Sequence, residues 1–483
     1  MSLETNKTAE KQSGTGNQLG LFRLIAVTLA FVMSIRNLPM LAETGWPQIF
    51  YMVLAAIIFQ LPVALISAEL ATGFSSEGGA YSWIKQAFGK KWAFVGAWMF
   101  WAQMCVGMVM VASFIAAMMA YVFNPEYASN RYFIVGVSIL CIWLPTLFNL
   151  RGLKASTSIS TLGYIIGVAI PFVLIIAFGA IWIIGGHPVD LPPFTWENIL
   201  PDFSKINNLV FFTGIILLYC GSEAVAVHAP QTKNVQRNFP KAMIVATLLL
   251  LVLNVIGAIS IQMVVPANEI GLASGIMQTF HIFFTKMNLT WLSPLVALMI
   301  GFGAFGQLAT WLLGPSKSML AVAKDGNMPA FFHKTNKEGM PIVFMLLQAI
   351  ILTTVVLVYM LVPSINAGFF MVLVLTVLLY SVTYILIFAS AVRLRYTHPE
   401  VKRAYKVPGG KVGIWILASM GIGSMLLCML FSIFPPESME VGNAKFYILF
   451  EVGGSLLFLS IPFLFSAWMK KNRKNQDPNG SND

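Results

Sequence analysis

The sequence predicts an all-α membrane protein with twelve transmembrane helices, and three observations support this fold class. Of the 483 residues, 58% are hydrophobic and only 10% are charged, whereas a soluble globular protein averages about 25% charged residues. Twelve apolar stretches approach or exceed the roughly 18 residues that a membrane-spanning helix requires. The linkers between these stretches are mostly short and rich in turn-forming residues.

The apolar stretches define a transmembrane domain, residues 19–470, between two polar tails, 1–18 and 471–483. No cleavable signal peptide is expected, because the N-terminal tail contains no apolar core. The apolar part of the segment 266–289 is too short for a span, and an interfacial or re-entrant helix is expected there. The spans are expected at 19–43, 48–73, 91–122, 132–150, 155–184, 205–232, 239–265, 290–323, 341–362, 368–396, 412–433 and 445–470.

The basic residues are distributed unevenly between the two sides of this predicted membrane domain. Of the 30 lysines and arginines, 25 fall on the side of the N-terminus, and Arg36 lies within the membrane. The other four, on the opposite side, are Arg131, Lys205, Lys286 and Lys445. An excess of basic residues marks the cytoplasmic side, so both termini are expected in the cytoplasm. This asymmetry explains the net charge of +11 without a nucleic-acid partner.

The sixth apolar stretch, 209–230, contains polar residues that are unusual within a span. Gly221 and Ser222 weaken a helix, and Glu223 and His228 follow them. An ionisable side chain inside a span is costly and indicates a functional site. The alternative is a helix end near the interface, where Glu223 reaches water.

The first span shows a similar interruption. Ser34, Ile35, Arg36 and Asn37 come shortly before Pro39, and proline disfavours a helical conformation in the residue before it. The first ten spans then form two sets of five, and each set opens with a broken helix. An odd number of spans inverts the second set in the membrane, and paired broken helices in such repeats indicate the binding site of a secondary transporter.

Other polar side chains within the spans each allow two interpretations. Glu69 either has a gating role or reaches water at the end of span two. Gln103 contacts either a ligand or a neighbouring helix, and Gln307 and Trp311 lie in span eight next to a proline kink. Thr376, Tyr380 and Tyr384 share one face of span ten at a spacing of four residues, as a polar lining or as packing with satisfied hydroxyls.

Five motifs, in order along the chain, together resemble one known family. They are SAELAT with EGGAYSW (67–83), YCGSEAVAVHAP (219–230), VVPANEIGLASGIMQTF (264–280), ATWLLGPSKSM (309–319) and HPEVKRAYKVPGGK (398–411). They resemble the amino acid–polyamine–organocation transporters, and within them the bacterial glutamate/γ-aminobutyrate antiporters. The resemblance implies alternating access, amino acid exchange and an inner-membrane location. It also implies a five-plus-five inverted repeat (about 19–184 and 205–396) with two extra helices (about 412–470).

The resemblance also implies which residues bind the substrate. The two breaks of that fold hold the α-amino and α-carboxyl groups, which corresponds to Ser34, Ile35 and Arg36 on one side. Tyr219, Cys220, Gly221, Ser222 and Glu223 lie on the other side. The sequence itself adds Asn37, Gln103, Gln307, Trp311 and Tyr380 as further candidates for binding. Glu69, Glu223 and His228 are candidates for gating or proton coupling. The family has a tyrosine and a glutamate in its first break, whereas this chain has a cation, Arg36.

Arg36 has two candidate partners. One is Glu223, in an ion pair across the two breaks, and the other is an anionic group of the substrate, which arginine can hold with two hydrogen bonds. The second partner would favour glutamate or another acidic amino acid.

Two other function classes fit the sequence less well. A membrane-embedded enzyme would need clustered histidines and aspartates, but the five histidines are scattered and neither they nor the four cysteines have metal-ligand spacing. A receptor or scaffold has no need for two broken spans. The predicted partners are therefore amino acids and the lipid bilayer, with protons as a further candidate, and no metal or cofactor. A proton-coupled or facilitative permease remains the alternative to an antiporter, and a monomer or weak homo-oligomer is expected.

Overall fold

The computed structural model of the chain describes residues 19–74, 78–152, 162–189, 191–204, 209–437 and 440–476. The predicted N-terminal tail and the last seven residues lie outside these ranges. Within them the secondary structure is helical, apart from a single isolated β-bridge between Leu19 and Thr232. The all-α fold class is therefore confirmed.

The helix boundaries agree closely with the predicted spans. In chain order the helices are Leu21–Val32 (α1), Leu38–Glu43 (α2), Pro47–Gly73 (α3), Ala80–Phe88 (α4), Lys90–Phe123 (α5), Arg131–Leu150 (α6), Leu162–Ile184 (α7), Trp196–Ile199 (α8), Phe211–Tyr219 (α9), Ser222–Val225 (α10), Val235–Gln262 (α11), Gly275–Lys286 (α12), Leu292–Val322 (α13), Ile342–Leu361 (α14), Ile365–Thr397 (α15), Gly410–Phe431 (α16) and Ala444–Met469 (α17).

Within the described ranges, ten helices are long and apolar enough to cross a membrane. The bent pair Leu21–Ala30 and Ile35–Glu43, with an angle of 54° between its halves, adds an eleventh candidate. The sixth predicted span is a shorter apolar helix, Phe211–Val225. The protein is thus a multi-pass membrane protein, while the count of twelve spans and the inverted repeat stay predictions.

The helices α5 and α15 form the centre of the bundle. Of their most apolar 18-residue windows, 78% and 83% are buried, whereas only 17% of the corresponding window of α17 is buried. A helix that is apolar all round belongs in the interior of a bundle. Side chains on α5 and α15 are therefore the ones that a central site can use.

The first break separates α1 from α2. Ser34 is extended, and Ile35–Asn37 form a single 3-10 turn before α2 begins. Leu38, directly before Pro39, is helical (φ −61°, ψ −39°), so proline does not break the helix in the way that the sequence suggested. Pro39 instead lies in the first turn of α2, where a backbone N–H has no helical acceptor and its loss costs nothing.

The second break lies between α9 and α10. Cys220 is extended, and Gly221 has a φ of +100°, in the left-handed region that favours glycine. The helix restarts at Ser222 and continues from Ala226 to Gln231 as a 3-10 helix. The break is therefore at the glycine that the sequence indicated.

The segment 266–289 contains a short helix, α12, whose aromatic side packs against the protein. Phe280, Phe283 and Phe284 surround Phe178 of α7 at ring-centroid distances of 5.2–6.4 Å. The three phenylalanines of α12 are buried, and the interfacial or re-entrant position of this helix stays a prediction. The helix closes the bundle beside α2, where Gly275 packs on Pro39.

The helices α7 and α13 approach each other through glycines. A Cβ atom on Gly303 would lie 2.5 Å from the carbonyl oxygen of Gly163 and 2.6 Å from Cα of Gly167. Both neighbouring atoms belong to the backbone, so neither can move aside as a side chain could. This contact requires glycine and sets the distance between the two helices.

We therefore expect Gly303→Ala to destabilise the protein by about 1–3 kcal/mol, the usual cost of overpacking. Thermal unfolding in detergent measures the change. The matched control is Gly306→Ala on the same helix, where a Cβ meets nothing within 4 Å and alanine favours the helix. Equal unfolding temperatures for the two variants would contradict the glycine contact.

Candidate functional site

The carboxylate of Glu223 is the polar centre of the second break. It accepts hydrogen bonds from the hydroxyls of Tyr380 and Tyr384, the latter at 2.6 Å. The backbone N–H of Gly221 donates to it at 3.2 Å and also lies 3.0 Å from the Tyr384 hydroxyl. Glu223 is only 8% exposed, so it is not a water-exposed helix end at an interface. Its hydrogen-bond partners in the described structure lie at the break and on α15, and none is on span one. Glu223 ties the start of α10 to the central helix α15.

The two tyrosines are held in place by other aromatic rings. They stack on each other with centroids 4.4 Å apart, Phe100 packs edge-on against Tyr380, and Phe59 does so against Tyr384. The face predicted for span ten therefore exists at these two positions. Thr376 does not share their role, because its hydroxyl donates to the carbonyl of Val372 within its own helix.

A cavity of about 750 Å³ leads to Glu223 from one end of the bundle. Its walls include Phe100, Trp101 and Thr383, and its inner part reaches Glu223 and Ala224. Lys85, Lys317, Lys324 and Asp325 line it as well, and we call the end where these four residues lie the basic end. The volume is in the range of small-molecule sites.

One side of the cavity is closed by a hydrogen-bonded cluster that the sequence did not reveal. Asp325, just beyond α13, pairs with Lys85 and accepts a hydrogen bond from Tyr81 on α4. Asn327 also donates to the Tyr81 hydroxyl, at 3.2 Å. Burial and the hydrogen bond to Asp325 raise the pKa of Tyr81 above its ordinary value. The partners are at least 240 residues apart in the chain, so no local pattern could have paired them.

The residues of the first break do not line this cavity. Ile35 is buried in the core, and Ser34, Arg36 and Asn37 are half-buried. Among the described residues, no carboxylate lies within ion-pair distance of Arg36, and its Nε has no hydrogen-bond partner. The predicted pair with Glu223 is therefore absent, because tyrosine hydroxyls and a backbone N–H already hold that carboxylate.

At the second break, the predicted residues Tyr219, Cys220 and Ser222 each have different neighbours. Tyr219 is fully buried, with its hydroxyl 3.4 Å from the carbonyl oxygen of Met52 on α3. The Ser222 hydroxyl donates back to the carbonyl of Tyr219 and covers one of the free carbonyls at the end of α9. Cys220 is half-buried beside Glu223. None of these three lines the cavity.

The glutamine and tryptophan candidates in the other spans also lie outside the cavity lining. Gln103 is 3% exposed, and its Nε2 has no partner among the described residues, so the hydrogen bond expected to a neighbouring helix is missing for this atom. Gln307 and Trp311 are half-buried on α13. Of the residues predicted to form the site, only Glu223 lines the cavity. Tyr380 and Tyr384 hold its carboxylate from outside that lining.

Glu69 is buried, which excludes the interfacial interpretation. It is 2% exposed and pairs with Arg395 at 2.6 Å and with Arg403 at 3.3 Å. The backbone N–H of Val407 donates to it at 2.7 Å. Glu69 therefore fastens α3 to α15 and to the loop 398–409. The sequence predicts these arginines only as part of the positive charge on the cytoplasmic side.

His228 lies in the 3-10 helix that follows α10. The next residues reach the isolated bridge, in which the N–H of Leu19 donates to the carbonyl of Gln231 at 3.0 Å. His228 therefore lies on the segment that connects the second break with the start of the first span. Within the described part of the chain, no three histidine, cysteine, aspartate or glutamate side chains form a group that could hold a metal.

Comparison with known proteins identifies the family. Residues 19–476 match the model of the amino acid permease family. An uncharacterized transporter of Legionella pneumophila is 35% identical over 93% of this chain and 96% of its own length. The glutamate/γ-aminobutyrate antiporter of Lactococcus lactis is 33% identical over 92% and 90%. A probable agmatine/putrescine antiporter of Lactococcus lactis is 24% identical over 86% and 88%.

These matches extend over nearly the whole chain and agree with the resemblance carried by the five motifs. The chain therefore belongs to the amino acid permease family, and it is a membrane transporter and not an enzyme.

Proposed function

We propose that this transporter exchanges amino acids across the inner membrane by alternating access, with glutamate and γ-aminobutyrate as the first candidates. The observation that carries the proposal is the broken helix α9–α10, whose Glu223 lies at the inner end of a cavity large enough for an amino acid. The relative from Lactococcus lactis is a glutamate/γ-aminobutyrate antiporter, which supports this substrate class. A broken helix at the end of such a cavity is the usual position of a transporter's substrate site.

The chemistry of helix ends explains how the breaks would bind an amino acid. The start of α2 presents free N–H groups, which attract the α-carboxylate, and the end of α9 presents free carbonyls, which attract the α-ammonium. Ser34, Ile35 and Asn37 would supply the first set of contacts, and Tyr219 to Ser222 the second. Gln103, Gln307, Trp311 and Tyr380 would line the side-chain part of the site after a rearrangement, since all four lie outside the lining of the present cavity.

The charge asymmetry indicates which state of the cycle this conformation represents. The cavity opens at the basic end, and basic residues mark the cytoplasmic side. With both termini in the cytoplasm, the cavity faces inward. We assign the gating role to contacts that must change when the cavity closes. Glu69 holds the loop 398–409, Glu223 holds the second break, and His228 lies on the segment between the second break and the start of the first span.

The first test is an exchange assay in proteoliposomes. We expect labelled glutamate to enter vesicles loaded with γ-aminobutyrate and to remain near background in empty vesicles, because an antiporter must carry a substrate in both directions. Vesicles loaded with a panel of other amino acids give the substrate range.

The permease alternative gives the opposite pattern in that assay. Equal uptake into empty and loaded vesicles would contradict exchange and indicate a facilitative carrier. Uptake into empty vesicles that needs an inward proton gradient would indicate proton coupling.

Arg36 supports a preference for acidic substrates. Its Nε lacks a partner in the described structure, and an arginine deep in a membrane protein needs compensation. The cavity carries three lysines against Asp325 and Glu223, which also favours an anion. We infer that Arg36 receives the side-chain carboxylate of the substrate when the site closes.

We expect Arg36→Lys to weaken glutamate transport by about tenfold or more, because the charge remains but the forked pair of hydrogen bonds is lost. Transport of γ-aminobutyrate or another neutral amino acid should change much less. The measurement is the Michaelis constant of each substrate in the exchange assay, with protein level as the control. A parallel loss for both substrates would assign Arg36 a structural role.

Glu223 is proposed as a gating residue and not as the proton carrier. Its carboxylate already accepts three hydrogen bonds, and an amide at this position would turn one of these acceptors into a donor. We expect Glu223→Gln to lower the exchange rate by about tenfold at every pH, without changing the shape of the pH profile. Tyr380→Phe, which removes one of the three donors, should give a smaller loss. A changed pH profile in Glu223→Gln would instead support a proton-linked role.

A further inference from the structure

A third buried carboxylate, after Glu223 and Glu69, lies outside the candidate site, on the last helix. Glu451 is 0% exposed, and neither carboxylate oxygen has a hydrogen-bond partner among the residues that the structure describes. It lies within a π-helical turn of α17, Leu449–Gly453. Turns of this kind are rare and occur frequently at functional sites.

The polar side chains around Glu451 are on the buried side of its helix. The hydroxyls of Tyr447 and Ser455 are buried and, in the described part of the chain, also lack partners. By contrast, Leu449 and Leu456 are 70% and 60% exposed. The helix therefore presents apolar side chains outward, as a lipid-facing span does, and three unpaired polar groups inward.

The neighbouring helix α15 offers Glu451 no cation. The described chain contains three ion pairs, and none includes Glu451. All the ionisable side chains of α15 have other contacts: Tyr380 and Tyr384 donate to Glu223, Arg393 lies over Phe88, Arg395 pairs with Glu69, and Tyr396 accepts a hydrogen bond from Trp415.

The helix α5, which also packs against α17, gives the same result. It carries Lys90 and Lys91 at its first turn, Cys105 in its middle and Tyr121 near its end. Lys91 lies over Phe463, and Tyr121 packs against His281. The turn Ala323–Asn327 after α13 also packs against α17; its Asp325 pairs with Lys85, and its Lys324 lines the cavity. In the described part of the chain, the titratable group next to Glu451 is the hydroxyl of Tyr447, on its own helix.

An ionised carboxylate in this position would be buried with neither a cation nor a hydrogen-bond donor, which is among the most unfavourable arrangements in a protein. A neutral carboxyl group avoids that cost. We propose that Glu451 is a proton-binding site, separate from the substrate site, that holds a proton in this inward-facing conformation and releases it when the transporter turns outward.

The helix α15 connects this proton site with the substrate site. Its inner face holds Glu223 through Tyr380 and Tyr384, and on another face Leu375 packs against Gly454, directly after the π-helical turn. Movement of the second break must therefore shift α15 against α17. When water enters between them, the O–H bond of the carboxyl group breaks, its electron pair stays on the oxygen, and the proton passes to water.

Infrared spectroscopy of the purified full-length protein tests the first part of this proposal without any transport. We expect the carbonyl stretching band of a buried protonated carboxyl group at neutral pH, shifted in heavy water and absent from Glu451→Gln. Ser455→Ala, one turn further along the same helix, is the matched control and should keep the band. An unchanged band in Glu451→Gln would overturn the assignment.

The exchange assay tests the second part, which rests on the proposed exchange function. Because the inward-facing state needs the proton, wild-type exchange should slow by roughly threefold or more as the pH rises from about 5 to about 8. Glu451→Gln imitates the protonated group, so its rate should vary less than about twofold over that range. A profile in Glu451→Gln that matches the wild type contradicts the coupling, even where the infrared band is lost. If neither protein transports any amino acid, the exchange function fails while the infrared result still decides the proton site.

Discussion

The three hydrogen bonds to the Glu223 carboxylate hold the central part of the structure together. A helix broken at Cys220 and Gly221 leaves backbone groups without helical partners, and such groups are costly inside a membrane. Glu223 satisfies one of these groups, because its carboxylate accepts a hydrogen bond from the backbone N–H of Gly221. Two tyrosine hydroxyls from α15 donate to the same carboxylate and hold it in place. The break is thereby fixed to the most buried helix of the bundle. The cavity reaches the centre of the protein because this connection keeps the break in place.

Buried charges at the basic end also need partners of opposite charge. Glu69 is buried between Arg395 and Arg403, and the latter also donates to the carbonyls of Leu394 and His398. Breaking a buried pair costs several kcal/mol, whereas a pair near the surface contributes about 0–1 kcal/mol. The Lys85–Asp325 pair, about one-third exposed, belongs to the second kind. The loop 398–409 is thus firmly attached, while the cluster beside the cavity can separate at little cost.

The buried glutamates differ in the groups that contact their carboxyl groups, and we assign them different roles for that reason. Glu69 has two arginines, and Glu223 has hydroxyl and backbone donors. Glu451 has none of these in the described structure. A carboxylate that is paired with cations stabilises a fixed arrangement of helices. A carboxylate that accepts hydrogen bonds from neutral donors links two parts that move. One with no donor is most stable as the neutral acid, which is why the proton site is assigned to α17 and not to the substrate site.

The sequence alone determined the helical fold class, most helix boundaries and the position of the second break, because these depend on local hydrophobicity, length and the left-handed φ of Gly221. It also indicated the face of α15 that carries Tyr380 and Tyr384, since a spacing of four is a helical period. Only the tertiary structure decided which buried polar side chains contact each other. Glu223 contacts α15 and not Arg36, Glu69 is enclosed by arginines over 320 residues away, and the polar side of α17 is buried. The physical reason is that partners for buried polar groups come from helix packing, which brings together residues that no local pattern relates.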